Sequence, residues 1–218
     1  MKNLDKHAGK GYHSKQINEP RYDVMARSMR DIYLNQRKEA HPPVSVLDVG
    51  CSCGALLKSF ESLGKFERLA GIEVSEHVKE MWQPKNAELI QHDLSAAPVT
   101  IADKFDIVVC QEVAGHLELD SMLFSLLDGI PSENGLLFFG AAHPGQRGKG
   151  HINCHWTPHW RDQITAYGRG KAWFYNHNMS MQFAHDIGAS GLNMHCYLNT
   201  MVFQHATDPE SEDGLRHE

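Results

Sequence analysis

The chain has 218 residues, a formal net charge of −6 and 22% charged residues, which is typical of a globular protein with one domain and excludes a disordered or fibrous chain. With 27 acidic and 21 basic side chains it lacks the positive excess that coating nucleic acid requires, so no nucleic-acid partner is expected. Its start is polar, and no apolar run reaches the roughly 18 residues that cross a bilayer, so we expect no membrane contact and a cytoplasmic location.

The N-terminal half predicts strands that alternate with helices. Residues 1–18 have no apolar period and are predicted to be a flexible segment, a candidate lid. Helical spacing of apolar side chains predicts a helix over residues 19–36, and further helices are expected after Gly54 and after Ser75, which can cap one. The predicted strands are Val44–Val49, Arg68–Val74 and Glu88–Asp93.

The C-terminal half continues the alternation. Predicted strands cover Phe105–Gln111 and Gly135–Ala142, and two late β-like runs, residues 193–197 and 201–205, are expected at the sheet edge. The predicted helices are Leu117–Leu127, Pro158–Ala166 and Met179–Ile187. This pattern predicts a single α/β domain over residues 19–205 and a disordered acidic tail over 206–218. The five cysteines are odd in number and scattered, so free thiols are expected.

The turn Gly50-Cys51-Ser52-Cys53-Gly54 follows the first strand, where open parallel sheets bind ligands. A dinucleotide fingerprint is poorly matched, because Ser52 stands where its second glycine belongs. The turn does match the G-x-S-x-G nucleophile elbow, so a Ser52-dependent hydrolase is an alternative. Only 49 residues precede Gly50, however, too few for the strands and the oxyanion loop that a hydrolase places upstream.

A third interpretation uses the carboxylates around this turn. Asp48 precedes the turn, Glu73 ends the second strand and Asp93 ends the third. Because the carboxyl ends of parallel strands share one crevice, these acids can accept hydrogen bonds from ribose hydroxyls, an adenine amino group and an ammonium group. S-adenosylmethionine carries all three donors and is therefore the predicted cofactor.

In this arrangement the sequence resembles the class I S-adenosylmethionine-dependent methyltransferases that act on small molecules. The stretches that carry the resemblance are Leu47-Asp48-Val49-Gly50-Cys51-Ser52-Cys53-Gly54, Gly71-Ile72-Glu73-Val74-Ser75, Gln91-His92-Asp93-Leu94 and Phe105-Asp106-Ile107-Val108-Val109-Cys110-Gln111-Glu112-Val113. The resemblance implies a Rossmann-like seven-stranded, mostly parallel sheet flanked by helices on both faces. It also implies that Glu73 holds the ribose hydroxyls, Asp93 the adenine amino group and Asp48 the methionine ammonium.

Other cofactor contacts follow from the same resemblance. Gly50 and Gly54 would let the backbone approach the cofactor closely, and Gln111 would line the methionine side. Ser52 stands where the family usually has its middle glycine; its small side chain could contact the cofactor directly.

Histidines supply the candidate catalytic groups. Methyl transfer mainly requires that the nucleophile, methyl and sulfur be held in line, and a hydroxyl or protonated amine acceptor gains further from a base. His116 follows the fourth strand in a Glu-Val-x-x-His stretch similar to one in many small-molecule methyltransferases. His143 and His151 lie in the glycine-bearing loop after the fifth strand. In the same stretch, Asn153 is expected to position the acceptor through polar contacts, and Trp156 or Trp160 is expected to form an apolar wall.

A metal site is an alternative interpretation of the same stretch, since four potential ligands cluster there: His151, Cys154, His155 and His159. Pro158 would break a continuous helix and the spacing matches no zinc pattern, so no metal is predicted. The prediction is methyl transfer to a small polar acceptor, such as a glycan or secondary-metabolite precursor, with oxygen preferred over nitrogen. The alternative is a regulatory module that binds S-adenosylmethionine without turnover; the sequence leaves the oligomeric state open.

Overall fold

The helices and strands of this computed structural model follow the predicted alternation. It describes residues 9–37, 44–64, 66–97, 99–118, 123, 127, 131–146, 148, 150–167, 172–192 and 197–206. The α-helices of this part are α1 (Lys10–Ser14), α2 (Arg21–Asn35), α3 (Ala55–Ser62), α4 (Thr157–Tyr167) and α5 (His177–Ala189). The strands are β1 (Val44–Val49), β2 (Phe66–Glu73), β3 (Ala87–Gln91), β4 (Phe105–Gln111), β5 (Pro131–Gly140), β6 (Ala172–Tyr175) and β7 (Met201–Ala206).

Seven strands form one sheet in the order β3-β2-β1-β4-β5-β7-β6. Strands β1 to β5 pair in parallel, so β1, β2 and β4 bring their carboxyl ends to the same edge. Strand β7 runs antiparallel to both β5 and β6. The Rossmann-like seven-stranded fold is therefore confirmed, but the sheet is mixed, which corrects the prediction of a mostly parallel sheet.

Two apolar clusters cover alternate residues of the central strands. All six residues of β1 are buried, as expected for a parallel strand covered on both sides. Val46 belongs to a cluster with side chains of α2, α3 and α5, whereas Leu47 belongs to a second cluster with Trp160 and Ile164 of α4. The predicted helix Leu117–Leu127 lies mostly outside the described residues, and helices flanking both faces stay a prediction.

Some elements of the structure differ from the predicted ones. The segment after Ser75 is a 3-10 turn, Glu76–Met81, and the Ser75 side chain does not cap it. Strand β6 was not predicted, and it takes the sheet edge, so β7 lies inside the sheet. The predicted strand at 193–197 falls almost wholly outside the described residues, and so does the predicted tail at 206–218, apart from Ala206 at the end of β7.

Part of the segment predicted to be flexible is ordered. Helix α1 packs on the 3-10 turn, and Lys10 Nζ lies 2.7 Å from Glu80 Oε2. His13 of α1 is only 1% exposed. The described part of the N-terminal segment thus lies against the 3-10 turn after β2.

Candidate cofactor and acceptor site

The turn after β1 has a backbone that suits glycine. Gly50 and Gly54 have φ of 76° and 74°, in the left-handed region. A Cβ on Gly50 would lie 2.4 Å from Val113 Cγ2, and one on Gly54 would lie 2.8 Å from Pro84 Cδ. Ser52 also has a positive φ, 51°, which a side chain tolerates at a cost of about 1–3 kcal/mol. The turn is therefore strained, and its backbone packs closely against Val113 and Pro84.

Glu73 fixes the turn through three backbone amides. Its Oε2 accepts a hydrogen bond from Ser52 N, and its Oε1 accepts from Val74 N and Ser75 N, all at 2.9 Å. A carboxylate has about four lone-pair sites, so roughly one is left for a ligand donor. Glu73 is 7% exposed and so remains at the crevice rather than in solvent.

Asp48 lies beside Glu73 with its side chain almost fully buried, at 6% exposure. No described residue donates a hydrogen bond to its carboxylate. Burial, with a further contribution from the negative charge of Glu73, raises the pKa of Asp48 to about 8. A buried carboxylate in this situation is stabilised by a cation brought in from outside.

These residues fit the cofactor that the sequence predicts. The ammonium group of S-adenosylmethionine would provide the missing partner of Asp48, and a ribose hydroxyl would fill the remaining position on Glu73. Gly50 packs so closely on Val113 that the turn has no room for a side chain there. The fit therefore rests on the unpartnered Asp48 carboxylate and on the glycine turn.

Asp93 and Gln111 are placed less tightly than the acids of the turn. Asp93 Oδ1 accepts hydrogen bonds from Ser95 N at 2.8 Å and Ser95 Oγ at 2.6 Å, the contacts of a turn cap. Gln111 Nε2 donates to Phe138 O at 3.2 Å, and its Oε1 accepts from Thr200 Oγ1 at 3.2 Å. Among the described contacts, Gln111 faces β5 and the start of β7, and its role toward the cofactor stays a prediction.

His13 contacts the cofactor turn directly. Its Nδ1 and Ser52 Oγ share a hydrogen bond of 2.6 Å, while Nε2 is buried without a partner in the described part of the chain. A serine hydrolase would orient its histidine with a third group, commonly a carboxylate, and no described carboxylate contacts this nitrogen. The contact therefore ties the N-terminal segment to the turn without completing a triad.

The candidate histidines form a group in which the rings of His116 and His151 are in contact, and His143 lies in the same loop as His151. His116 and His151 have ring centroids 4.8 Å apart. His116 Nδ1 lies 2.9 Å from Gly150 O and His151 Nδ1 lies 3.3 Å from Gln146 O. A carbonyl can only accept, so both Nδ1 atoms carry hydrogen and, in the neutral ring, Nε2 bears the basic lone pair.

His143 completes this group from the start of its loop. Its backbone N donates to Gln146 Oε1 at 3.2 Å, and its Nε2 lies 3.2 Å from Thr157 Oγ1. The ring of Trp156 is 5.5 Å away and 61% of that residue is exposed, whereas Trp160 is 1% exposed. Of the two tryptophans, Trp156 is the one that can form an apolar wall for an acceptor.

Glu112 is a residue that the sequence analysis did not single out. It follows β4 directly with a φ of 59°, and its Oε2 accepts a hydrogen bond from Gln146 Nε2 at 2.8 Å. Burial raises the pKa of Glu112, and the hydrogen bond from Gln146 and the charges of His151 and His143 oppose that shift. Its position in the Gln-Glu-Val stretch at a strand end was the available signal.

His155 contacts two other polar side chains of this region. His155 and His159 stack with centroids 3.8 Å apart, and His155 Nε2 lies 2.8 Å from Asn153 Oδ1. Within the described ranges, no three potential metal-ligating side chains come together.

Cys51, Cys53, Cys110 and Cys154 are free thiols, and burial raises the pKa of the first three. Among the described helices, none combines the length and apolarity that spanning a membrane requires.

The two halves of the site lie at one edge of the sheet. Strand β1 pairs with β4 in parallel, so the turn after β1 and the residues after β4 are neighbours. The contact between Gly50 and Val113 joins them. In open α/β sheets, acids at the ends of adjacent parallel strands are placed where nucleoside-containing ligands bind.

Comparison with known proteins identifies the class more closely. Residues 47–139 match the family profile described as "Methyltransferase domain". The chain is 29% identical over 125 residues to the mitochondrial ubiquinone biosynthesis O-methyltransferase of Saccharomyces cerevisiae, covering 53% of this chain and 39% of the relative. The ubiquinone biosynthesis O-methyltransferase of Glaesserella parasuis is also 29% identical over 125 residues, with 50% of each protein covered. The chain thus spans about half or less of the length of these relatives.

Solved structures agree on the fold. The plantazolicin methyltransferase BpumL, in complex with a triazolic desmethylPZN analog and SAH, superposes with a TM-score of 0.62 at 14% identity, covering 89% of this chain and 87% of that one. Phosphoethanolamine N-methyltransferase 1 of Haemonchus contortus superposes with a TM-score of 0.54 at 11% identity, covering 85% of this chain and 43% of that one. The profile match over residues 47–139 and the shared fold support a class I S-adenosylmethionine-dependent methyltransferase, with S-adenosylmethionine as its cofactor.

Proposed function

We propose that the chain transfers the methyl group of S-adenosylmethionine to an oxygen of a small polar acceptor in the cytoplasm. The observation that carries this proposal is the contact between the two halves of the site. Gly50 begins the turn that follows Asp48 and that Glu73 holds through Ser52 N, and it packs closely on Val113, which lies between Glu112 and His116. Cofactor and acceptor groups are thereby held at adjacent strand ends.

The bound cofactor supplies a methyl group on a positively charged sulfur that is already a good leaving group. Asp48 is proposed to hold the ammonium end, Glu73 a ribose hydroxyl and Asp93 the adenine amino group. Gly50, Ser52 and Gly54 shape the backbone beneath the cofactor, and Gln111 lines its methionine side. These contacts fix the direction from which an acceptor must approach.

A histidine ring nitrogen is proposed to take the proton of the acceptor hydroxyl as its oxygen bonds to the methyl carbon. The carbon–sulfur bond breaks, and its electron pair stays on sulfur, which becomes neutral. His116, His143 and His151 are the candidates for this base. A positioned base contributes roughly 10²- to 10⁴-fold to such a step.

Oxygen is preferred because the site gathers three potential bases, and both relatives described above are named as O-methyltransferases. The exposed ring of Trp156 offers a flat apolar surface beside His143. Acceptors that combine a hydroxyl with an apolar or ring-shaped body therefore suit this surface. Nitrogen acceptors are the second candidates.

The test is a panel of catechol, a sugar and a primary amine, each incubated with the chain and S-adenosylmethionine. Mass spectrometry follows S-adenosylhomocysteine and the methylated product. We expect turnover with the hydroxyl acceptors, and loss of turnover with retained cofactor binding in at least one of His116→Ala, His143→Ala and His151→Ala. Absence of turnover with the whole panel and with a cell extract would overturn the catalytic proposal and leave a regulatory binding module.

The Ser52 hydrolase is the other alternative, and one labelling experiment separates it. A fluorophosphonate probe modifies an activated serine. We expect no labelling of Ser52, because His13 has no orienting carboxylate among the described residues. Labelling of wild-type protein that Ser52→Ala abolishes would support the hydrolase.

A further inference from the structure

Glu112 occupies a backbone conformation that a glutamate adopts only at a cost. Its φ of 59° lies in the left-handed region, and its backbone N donates to Gly140 O at 2.8 Å. Non-glycine residues in such conformations cost about 1–3 kcal/mol and cluster at functional sites. The conformation directs a carboxylate from the end of β4 toward the loop that follows β5.

The Glu112 carboxylate is joined to that loop through Gln146. Gln146 Nε2 donates to Glu112 Oε2 at 2.8 Å, while Gln146 Oε1 accepts from His143 N at 3.2 Å. The Gln146 carbonyl in turn accepts from His151 Nδ1 at 3.3 Å. One glutamine thus links Glu112 to both histidines of the loop, which we call the histidine loop (residues 143–151).

The second oxygen of this carboxylate, Oε1, is not used by Gln146. Glu112 Oε1 is buried and has no hydrogen-bond partner in the described part of the chain. The charges that act on it come from His151 and His143. A carboxylate left in this state favours a positive charge nearby, such as a protonated imidazole.

We propose that Glu112 is a positioning residue for methyl transfer, which holds the histidine loop through Gln146 and stabilises the imidazolium formed when His143 or His151 takes the acceptor proton. This inference rests on the proposed function. The proton moves from the acceptor oxygen to a histidine ring nitrogen, and the methyl group moves from sulfur to oxygen. Glu112 itself neither gains nor loses a proton in the step.

Two substitutions separate the tether from the charge. Glu112→Gln removes the charge but keeps a carbonyl oxygen that accepts from Gln146. Gln146→Ala removes the tether but keeps the charge. Glu88→Gln is the matched control, because it removes an exposed carboxylate that pairs with Arg68 outside the site.

The first measurement uses the chain without cofactor. Hydrogen exchange of a peptide covering residues 143–152 is expected to quicken at least about threefold in Gln146→Ala and to stay unchanged in Glu112→Gln and Glu88→Gln. Exchange unchanged in Gln146→Ala would show that the tether does not hold the loop and would overturn that part of the proposal.

The second measurement follows methyl transfer to the fastest acceptor of the panel. In Glu112→Gln we expect kcat to fall about 10- to 100-fold and the acidic limb of the kcat–pH profile to move to lower pH, with cofactor affinity within about twofold. An unchanged kcat and profile, as in Glu88→Gln, would refute the charge role while leaving the proposed function standing. If wild-type protein methylates nothing, the proposed function fails and the charge role with it, while hydrogen exchange still decides the tether.

Discussion

Asp48 is expected to lower the stability of the ligand-free chain. Its pKa of about 8 lies above the ordinary aspartate value, so between about pH 4 and pH 8 the folded state holds a proton that the unfolded state has released. The stability contributed by this group is therefore present at low pH and is lost as the pH rises through about 8.

Asp48→Asn should accordingly stabilise the protein at high pH. The variant is expected to melt near the wild-type temperature at pH 4.5 and clearly above it at pH 8, by about 2–4 °C for each kcal/mol gained. Thermal unfolding monitored by circular dichroism at the two pH values tests this. A variant that melts below the wild type at pH 8 would show that Asp48 is not held under unfavourable charge.

The residues around Asp48 could be predicted from the sequence because they are fixed by strand ends. A parallel sheet places the ends of β1 and β2 together, so the spacing from Asp48 to Glu73 already implied a shared crevice. Glu112 could not be assigned a role in this way. Its function depends on how the loop carrying Gln146 folds back, a contact between distant segments that local pattern does not encode.

Asp106 joins three elements at the opposite end of the sheet. From the start of β4, its Oδ1 accepts from Tyr33 of α2 at 2.7 Å and Ser132 of β5 at 2.9 Å, and its Oδ2 accepts from Ser45 N and Oγ of β1, both at 2.9 Å. Burial alone would raise the pKa of Asp106, but these hydrogen bonds outweigh it and hold the pKa below the usual value. The stability that Asp106 contributes is therefore present at neutral pH and is lost as the pH falls through this lowered pKa.

Asp106→Asn is expected to lower the free energy of unfolding of the protein without changing its methyl transfer. An amide offers one acceptor oxygen in place of two, so donors on one side lose their partner, at about 1–3 kcal/mol. Urea unfolding at pH 7 should show that loss, and the difference should shrink near pH 3. Equal stability of variant and wild type at pH 7 would contradict this account of how α2, β1, β4 and β5 are joined.

The elements were predictable where one period dominates. The strand predicted from the valine-rich stretch of β1 and the helix predicted from the apolar spacing of α2 agree with the structure to within a few residues. Strand β6 has four residues, too few for a period, and the direction of β7 depends on where the chain leaves α5. For that reason the mixed sheet could not be derived from alternation alone.

Helix α1 joins the N-terminal segment to the turn that follows β1. Helix α1 packs on the 3-10 turn after β2, and His13 is hydrogen-bonded to Ser52. Segments that cover a site exclude water and strengthen the contacts within it. This placement motivates the proposal that the segment contributes to cofactor binding, and the lid stays a prediction.

Removing the segment should weaken cofactor binding without unfolding the domain. A chain that begins at Glu19 is expected to bind S-adenosylmethionine about tenfold more weakly, and His13→Ala should reproduce most of that loss. Lys10→Ala is the control, since its ion pair with Glu80 is exposed. Equilibrium dialysis measures the affinities; equal binding by the truncated and full chains would remove the segment from the site.

The central claim is that the acids at the ends of β1 and β2 form a site for S-adenosylmethionine. Isothermal titration calorimetry of the wild type, Asp48→Asn and Glu73→Gln tests it most directly. We expect saturable binding of one cofactor per chain in the wild type and at least about tenfold weaker binding in each variant, while Glu88→Gln binds like the wild type. No saturable heat in the wild type, or wild-type affinity in both variants, would contradict the account.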